Sequence, residues 1–275
     1  LGLTLCLSLA ACGGDSAADS GAADTGAAEE GGDSGETVTL TVAASPTPHA
    51  VILEQCVPIL AEQGIDLVIN QYSDYVVPNT AVEDGDEDAN YFQHLPYLEE
   101  FNETRGTHLV SVAGVHIEPM GIYAGKTASL DELADGAVIG IPNDPTNEGR
   151  ALLLLEAQGL ITLDDSSNLS ATPNNIVDNP KNLQFEEIEA QTLPSSRPDL
   201  DLAVINSNYA LGAGLNPTTD ALAIESGDSP YVNVLVVKEG NEDNPAIQAL
   251  VEALHSDTIR DFINEEFDGA VVPAF

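Results

Sequence analysis

The sequence predicts an α/β protein with two lobes, between which the chain crosses twice. Residues 37–73 alternate strand, helix and strand, which indicates a pair of parallel strands joined by a right-handed crossover. The same alternation resumes after residue 116, and a late strand at 231–240 precedes a terminal helical segment. The chain has 275 residues, 43% of them hydrophobic, so it can bury the cores of two lobes of ordinary size.

Lobe I is expected to begin with regular alternation of elements. Apolar residues alternating with polar ones, with many β-branched side chains, predict strands, and apolar residues three and four apart predict helices. In order, these patterns predict a strand at 37–45, a helix at 48–64, a strand at 65–73, a helix at 74–85, a strand at 88–92 and a helix at 95–106. Gly64 ends the first of these helices, and Cys56 within it is expected to be buried.

Lobe II is expected to begin where the strands within 108–125 cross toward a second region. There the patterns predict a short helix at 130–136, a buried strand at 137–143, a helix at 147–159, and further strands and helices at 183–190 and 200–214. Residues 244–267 form a final amphipathic helical segment. We therefore expect lobe I to comprise 37–115 plus 234–275, and lobe II to comprise 116–233.

The N-terminal segment predicts a membrane-anchored protein. "LGLTLCLSLAAC" is too short an apolar run to span a bilayer and has the character of the end of a signal peptide. Its "LAAC" ending looks like a bacterial lipobox, which would make Cys12 the lipidated first residue of the mature protein; the alternative is a buried apolar strand. Residues 13–36, rich in Gly, Ala, Ser and acids, should form a disordered tether. We expect a location at the cell surface or in the periplasm of a bacterium.

The charge and cysteine content exclude several classes of partner and site. Seven Lys plus Arg oppose 46 Asp plus Glu, a formal net charge of -39, so nucleic acid is not an expected partner. Once Cys6 and Cys12 are assigned to the signal and the lipid, only Cys56 remains, which excludes an intrachain disulfide and a C-x-x-C site.

Arg150 is the cation that the sequence singles out. It opens an apolar helix after "IPNDPTNEG", a strand-to-helix loop whose free backbone N–H groups would favour an anion. A guanidinium at that place could hold a carboxylate through two parallel hydrogen bonds. The alternative is a salt bridge to Glu148 or to another of the many acids.

Three asparagines follow or interrupt apolar strands. Asn206 and Asn208 come directly after "LDLAVI", and Asn233 lies inside "YVNVLVV". A buried amide needs partners for both its donor and its acceptor, which suits the recognition of a zwitterion. Hydrogen bonding to the backbone in a turn remains the alternative, particularly for one of the Asn206–Asn208 pair.

The histidines form no recognisable metal or catalytic motif. No H-x-x-x-H, H-E-x-x-H, G-x-S-x-G, S-x-x-K or Walker A pattern occurs, so neither a metal site, a cofactor nor an enzymatic activity is expected. His94 differs from the other histidines because it lies among rings, in "DANYFQHLPY". Tyr91 and Leu95 of that stretch are expected to belong to the core.

Eight stretches together resemble one family, the NlpA/MetQ-type lipoproteins, which are the methionine-binding components of ABC importers. The stretches are "SPTPHAVILE", "DYVVPN", "DGDEDANYFQHLPYLEEF", "IEPMGIYAGK", "IPNDPTNEGRALLLLEAQGLI", "DLAVINSNYALGAGLNP", "DSPYVNVLVV" and "GAVVPAF". The resemblance covers the chain from about Thr37 to Phe275, without the acidic tether.

The resemblance implies a two-lobed periplasmic-binding-protein-like fold of type II character, with the ligand in the cleft between the lobes. It also implies methionine as ligand, with the L isomer usual, delivery to an ABC permease and its ATPase subunit, and a monomer. Carried over by motif, Arg150 would bind the carboxylate, and Asn206, Asn208 and Asn233 would bind the polar end. The remaining residues implied at the site are Tyr75, Phe92, His94 and Tyr97 around the thioether, and Asn147 in the loop of Arg150.

Overall fold

The computed structural model describes residues 37–227 and 229–275. The predicted signal remnant, the lipidation site Cys12 and the tether at 13–36 lie outside these residues. Within the described range the strands are β1 Val38–Ala44, β2 Ile65–Gln71, β3 Ala89–His94, β4 Leu109–Ile117, β5 Gly121–Ala124, β6 Val138–Pro142, β7 Thr162–Leu163, β8 Ile176–Asp178, β9 Gln184–Ile188, β10 Leu202–Ile205, β11 Ala221–Ile224, β12 Val232–Lys238 and β13 Val272–Pro273. The helices are α1 Val51–Ala61, α2 Val77–Asp84, α3 Leu95–Arg105, α4 Pro145–Ala157, α5 Leu193–Ser196, α6 Ser207–Gly212, α7 Pro245–Leu254 and α8 Asp257–Phe267.

The first sheet forms the core of lobe I. Its strand order is β13-β4-β12-β3-β1-β2, in which β1 pairs in parallel with β2 and β3, while β12 runs antiparallel to both β3 and β4. The parallel β1–β2 pair, joined through α1, confirms the predicted β-α-β opening. Apolar side chains of α1, α7 and α8 pack on this sheet, among them Cys56, which is buried as predicted.

The second sheet forms the core of lobe II, with strand order β11-β5-β10-β6-β9. Strands β6, β9 and β10 are parallel, as expected where helices cover a sheet, and at one side β5 pairs antiparallel with both β10 and β11. Helix α4 packs Leu152 and Leu155 into this core, and both side chains are fully buried.

The chain passes between the sheets at two places, as predicted. Residues 118–120 connect β4 of the first sheet to β5 of the second, and residues 225–231 connect β11 of the second to β12 of the first. The two crossings bring the ends of β4 and β12 side by side, because Val232 pairs with Ile117. Side chains at these crossings therefore face both lobes.

Two local predictions were wrong. Residues 130–136 form turns rather than a helix, because the carbonyl of Leu133 accepts a hydrogen bond from Lys181 Nζ at 2.6 Å instead of from a helical N–H. Leu95, expected in the core, is 38% exposed, whereas Tyr91 is fully buried. The helical segment predicted at 244–267 is confirmed and consists of two helices, with the Ser256 hydroxyl capping the N-terminus of α8 by accepting from the Ile259 N–H.

Among the described residues, no helix combines the length and the apolar composition that crossing a bilayer requires.

The close approach of α4 to its neighbouring loop predicts an effect of Gly149→Ala. A helical Gly→Ala change ordinarily stabilises by up to about 1 kcal/mol. Here the added Cβ would lie 2.3 Å from the Leu169 carbonyl oxygen, a backbone atom that can move away only if the main chain shifts. We expect Gly149→Ala to lower the free energy of unfolding by about 1–3 kcal/mol in urea titrations. Gly212→Ala is the control, because its Cβ would meet no atom closer than 3.9 Å; equal stability of the two variants would contradict this packing.

The carboxyl group of Glu148 predicts a change of stability with pH. Its side chain is 6% exposed, and its Oε1 has no hydrogen-bond partner among the described residues. Burial, followed by the charges of Glu187 and Asp144, raises the pKa of Glu148 from 4.5 to about 7. The unfolded chain therefore loses this proton at lower pH than the folded chain, so stability declines as pH rises from about 4.5 to 7.

We expect Glu148→Gln, which cannot ionise, to abolish this decline. The melting temperature of Glu148→Gln should exceed that of the wild type at pH 8 and approach it at pH 4.5. A difference between the two proteins that stays constant from pH 4.5 to 8 would contradict the raised pKa.

Candidate functional site

A cavity lies where the two lobes meet. All nine residues predicted for the site line it: Tyr75, Phe92, His94, Tyr97, Asn147, Arg150, Asn206, Asn208 and Asn233. The structure thus brings together side chains that are up to 158 positions apart in the sequence (233 − 75). The lining residues that sequence reasoning missed are Gln93, Glu118 and Ser207.

Aromatic rings form one wall of the cavity. Tyr75 lies with its ring centroid 5.8 Å from those of both Phe92 and Tyr97, and 5.0 Å from that of Tyr209. Phe92 and Tyr97 are buried, and Phe101 packs behind them. Strand β3 and helix α3 place these rings, since Phe92 lies in β3 and Tyr97 in the first turn of α3.

His94 joins the aromatic wall to the polar part of the cavity. It caps α3, where its Nδ1 accepts a hydrogen bond from the Tyr97 N–H at 3.2 Å. Its Nε2 therefore carries the proton and donates to Asn147 Oδ1 at 3.1 Å. Burial, and secondarily the charge of Arg150, lowers the pKa of His94 to about 3, so the imidazole is neutral at physiological pH.

Asn147 is committed entirely to partners within the protein. Its Oδ1 accepts from His94 and also from Asn206 Nδ2 at 2.8 Å, and its Nδ2 donates to both carboxylate oxygens of Asp144. Asn147 thus orients its neighbours. One of them, Asn206, has its Oδ1 buried against the cavity with no hydrogen-bond partner among the described residues. An unpaired buried acceptor costs about 1–3 kcal/mol, so this oxygen requires a donor from outside the protein.

The N-terminus of α4 does not provide the free N–H groups that the sequence predicted. Asp144 caps this helix, with its Oδ1 accepting from the Asn147 N–H at 3.0 Å and its backbone carbonyl accepting from the Glu148 N–H at 2.8 Å. The expected anion site at the backbone of this loop is therefore wrong, because a carboxylate of the chain already occupies it.

Arg150 is 3% exposed and is held from one side by an acid of the chain. Its Nε and Nη2 donate to the two carboxylate oxygens of Glu225, at 2.8 Å and 2.5 Å, and Nη2 also donates to the Glu118 carbonyl at 2.7 Å. The alternative of a salt bridge to an acid is thus what the structure has, although the acid is not Glu148. The guanidinium also lies 4.3 Å from the ring centroid of Tyr231. Nη1 is left without a hydrogen bond within the described part of the chain.

Glu118 is the buried acid of the cavity, at 5% exposure. Its Oε1 lies 2.8 Å from His116 Nε2 and 3.2 Å from His49 Nε2. Burial raises the pKa of this carboxyl group, while the charges of His49 and Arg150 and the backbone N–H of Asn208 act to lower it. Because the backbone N–H of Asn208 donates to the carboxylate and the guanidinium of Arg150 favours its charged form, we assign it the ionised form.

His49, His116 and Glu118 are also the group of described residues that could hold a metal ion, since their ligand atoms lie within 4.8 Å of one another. The separations of 2.8 Å and 3.2 Å are, however, those of direct hydrogen bonds. We therefore interpret the group as a hydrogen-bonded cluster.

Asn233 lies on β12 between two histidines, paired with His94 on β3 and with His116 on β4. Its Oδ1 is 2.9 Å from His49 Nε2. Its amide nitrogen has no hydrogen-bond partner among the described residues, and the side chain lines the cavity. Asn233 thus offers the cavity a hydrogen-bond donor, whereas Asn206 offers it an acceptor.

Hydrogen bonds join the two lobes around the cavity. Tyr75 of lobe I donates its hydroxyl to Asn208 Oδ1 of lobe II at 2.7 Å, and Tyr209 of lobe II donates to the Ser73 carbonyl at 3.0 Å. The side-chain oxygen of Asn208 is therefore occupied by this hydrogen bond between the lobes. The lobes are closed over the cavity.

Sequence reasoning missed Glu118, Glu225 and His49 because acidic residues are abundant in the chain and because contacts between distant positions leave no local pattern. A chain with 46 acidic residues gives no local signal by which one buried glutamate could be chosen. Glu225 meets Arg150 across 75 positions, and His49 meets Asn233 across 184, so only the fold reveals either contact.

Comparison with known proteins relates the chain to lipoproteins. A curated relative, the methionine-binding lipoprotein MetQ of Bacillus subtilis, is 42% identical over 270 residues, covering 96% of this chain and 93% of the relative. A solved lipoprotein from Ruminococcus gnavus is 52% identical with a TM-score of 0.85, covering 86% of this chain and 99% of that chain. A nutrient-binding protein from Burkholderia cenocepacia, solved bound to methionine, is 40% identical with a TM-score of 0.81, covering 86% of this chain and 100% of that chain.

The family assignment follows from the extent of the match. Residues 40–275 match the family described as NlpA lipoprotein, which is nearly all of the described chain. The two-lobed α/β fold is that of the solved relatives, as predicted from the sequence. The chain belongs to the NlpA lipoprotein family.

Proposed function

We propose that this protein is an extracytoplasmic substrate-binding lipoprotein that captures free methionine and delivers it to an ABC importer. The observation that carries the proposal is the closed cavity itself. It presents the unpartnered Asn206 Oδ1, the amide nitrogen of Asn233 and Nη1 of Arg150, whose other ends are bonded within the protein, and an aromatic wall, which together match a zwitterion with an apolar side chain. The methionine-binding names of the relatives support the same ligand.

Asn206 and Glu118 would hold the ammonium group of the ligand. Asn206 Oδ1 is the buried acceptor without a partner, and Glu118 is the buried acid that lines the cavity, to which we have assigned the ionised form. An ammonium has three N–H donors and no acceptor, so it can satisfy both groups at once. The negative charge of Glu118 strengthens such hydrogen bonds in a site from which water is excluded.

Arg150 and Asn233 would hold the carboxylate. Arg150 keeps Nη1 free because Glu225 occupies the Nε–Nη2 edge, and Asn233 keeps its amide N–H groups free because His49 occupies Oδ1. This arrangement implies one hydrogen bond from the guanidinium rather than the two parallel ones that the sequence suggested.

The aromatic wall would enclose the thioether. Tyr75, Phe92 and Tyr97 present ring edges and faces within one cluster, and contacts between sulfur and aromatic rings contribute about 0.3–1.5 kcal/mol each. Asn147 and Asn208 would act indirectly, Asn147 by orienting His94 and Asn206, and Asn208 by bridging the lobes.

The proposal also includes a membrane anchor, a tether and transport partners outside the cavity. A lipid at Cys12 would anchor the protein to the outer face of a membrane, and 13–36 would tether a monomeric body made of lobe I (37–115 plus 234–275) and lobe II (116–233). The partners would be an ABC permease and its ATPase subunit. The role is binding and delivery, without catalysis, which accords with substrate-binding relatives.

Methionine should stabilise the protein and be present in it after purification. We expect mass spectrometry of ligand released by denaturation to detect methionine, and a thermal-shift screen of the amino acids to give the largest shift with methionine. Stabilisation by a different amino acid or a short peptide would retain a binding protein but change its ligand. No stabilisation by any small molecule would contradict the proposal and favour an adhesive or signalling role.

The unpartnered oxygen of Asn206 predicts a loss of affinity in Asn206→Ala. Removing the acceptor should weaken methionine binding about 10- to 100-fold, equivalent to about 1.4–2.8 kcal/mol, in calorimetry. Asn241→Ala is the control, because Asn241 is exposed at a turn remote from the cavity lining. Unchanged affinity in Asn206→Ala would exclude this residue from the site.

The hydroxyl of Tyr75 predicts the rate at which the lobes open. Tyr75→Phe keeps the ring in the aromatic wall but removes the hydrogen bond to Asn208 across the lobes. We expect dissociation of methionine to accelerate about 5- to 20-fold in stopped-flow measurements, with a smaller change in the association rate. Tyr72→Phe is the matched control, since the Tyr72 hydroxyl bonds Glu87 within lobe I. Equal dissociation rates in both variants would contradict a bridging role.

A further inference from the structure

We propose that His49 is a positioning residue of the binding site, which fixes the side-chain amide of Asn233 with its N–H groups toward the ligand. The inference deepens the proposed function and rests on it. His49 does not line the cavity, so it would act entirely through Asn233 and Glu118.

His49 lies between the buried residues Pro48 and Ala50, directly before α1, and is 1% exposed. Its ring packs edge-on against Tyr91, with ring centroids 4.7 Å apart, and against His116 at 5.0 Å. Nε2 points to the junction of the two crossings between lobes, where it meets Asn233 Oδ1 at 2.9 Å and Glu118 Oε1 at 3.2 Å.

The partners of Nε2 determine where the proton is. An ionised carboxylate can only accept hydrogen bonds, so Nε2 of His49 must carry a proton in order to approach Glu118. A protonated Nε2 in turn requires an acceptor from Asn233, which is Oδ1. The opposite end of the amide, the two N–H groups of Asn233, is thereby left for the cavity.

The second ring nitrogen agrees with a neutral imidazole. Nδ1 of His49 is buried and has no hydrogen-bond partner among the described residues, which suits a lone pair better than an N–H. Burial lowers the pKa of His49 to about 4, although the charge of Glu118 opposes this shift. The ring therefore remains in the form with the proton on Nε2 throughout the physiological range.

A chain of hydrogen bonds through Tyr91 and His116 stabilises this arrangement. The ionised Glu118 Oε1, 2.8 Å from His116 Nε2, requires a proton on that nitrogen, so Nδ1 of the neutral His116 accepts from the Tyr91 hydroxyl at 2.5 Å. Both histidines then donate to the same carboxylate oxygen, and His49 shares its proton between Glu118 and Asn233. The imidazole of His49 thus links Asn233, which would donate to the ligand, to Glu118, which would accept from it.

Packing alone would not require a histidine at this position. A phenylalanine could keep the contacts with Tyr91 and His116, but it would leave Asn233 Oδ1 without its partner and the amide free to rotate. An amide that samples both orientations presents an oxygen to the ligand carboxylate part of the time, which is repulsive. The expected consequence is weaker binding with little change in shape.

The test is a set of variants measured by calorimetry with L-methionine. We expect His49→Phe to weaken binding about 10- to 50-fold, and His49→Gln, whose amide can still donate to Asn233, to recover part of that loss. In the Asn233→Ala background, His49→Phe should have a much smaller effect, because the group through which it acts is gone. His108→Phe is the control, with a side chain that is 64% exposed and far from the cavity lining.

Equal losses from His49→Phe in the two backgrounds would overturn the inference, as would unchanged affinity in His49→Phe alone. Nitrogen-15 NMR of the wild-type protein without added ligand provides the readout that a packing role would not produce. We expect the His49 signal of a neutral ring protonated at Nε2 from pH 6 to 8; protonation at Nδ1 would also overturn the inference. Failure of the wild type to bind methionine would instead contradict the proposed function, and the NMR result would still decide the orientation of Asn233.

Discussion

The site depends on one constraint, that Asn206, Asn233 and Arg150 each use one end of the side chain within the protein and keep the other for the cavity. Asn206 donates to Asn147 and keeps its oxygen, Asn233 accepts from His49 and keeps its nitrogen, and Arg150 gives one edge to Glu225 and keeps Nη1. Amides that were free at both ends could rotate and present either group. Because one end is fixed, each of these side chains presents one defined group to the cavity, an acceptor from Asn206 and donors from Asn233 and Arg150.

The same constraint explains the charges of the cavity. Glu225 compensates the buried guanidinium of Arg150, which would be costly to bury alone, and Glu118 adds a second acid supported by two imidazoles. A zwitterion carries one positive and one negative charge, so its binding leaves the net charge of the cavity unchanged. The closed lobes exclude water and strengthen each of these interactions.

Much of the fold and part of the site could be predicted from the sequence. Strong apolar periodicity located β1, α1 and β2 and the two crossings, because local patterns of burial decide these elements. The helix expected at 130–136 was wrong, since a lysine 48 positions away takes one of its carbonyls. The residues predicted to line the cavity do so, but their individual tasks depend on partners such as Asp144 for Asn147 and Tyr75 for Asn208, and no sequence pattern reports such partners.

The central claim is that the cavity recognises both ends of a zwitterion, and calorimetry of ligand analogues tests it most directly. L-methionine should bind, whereas N-acetyl-L-methionine, which lacks the ammonium, and L-methioninol, which lacks the carboxylate, should each bind at least about 100-fold more weakly, because each leaves buried polar groups unpaired. Norleucine, with both ends intact and a methylene in place of sulfur, should lose far less. Comparable affinities for methionine and either modified analogue would contradict the account.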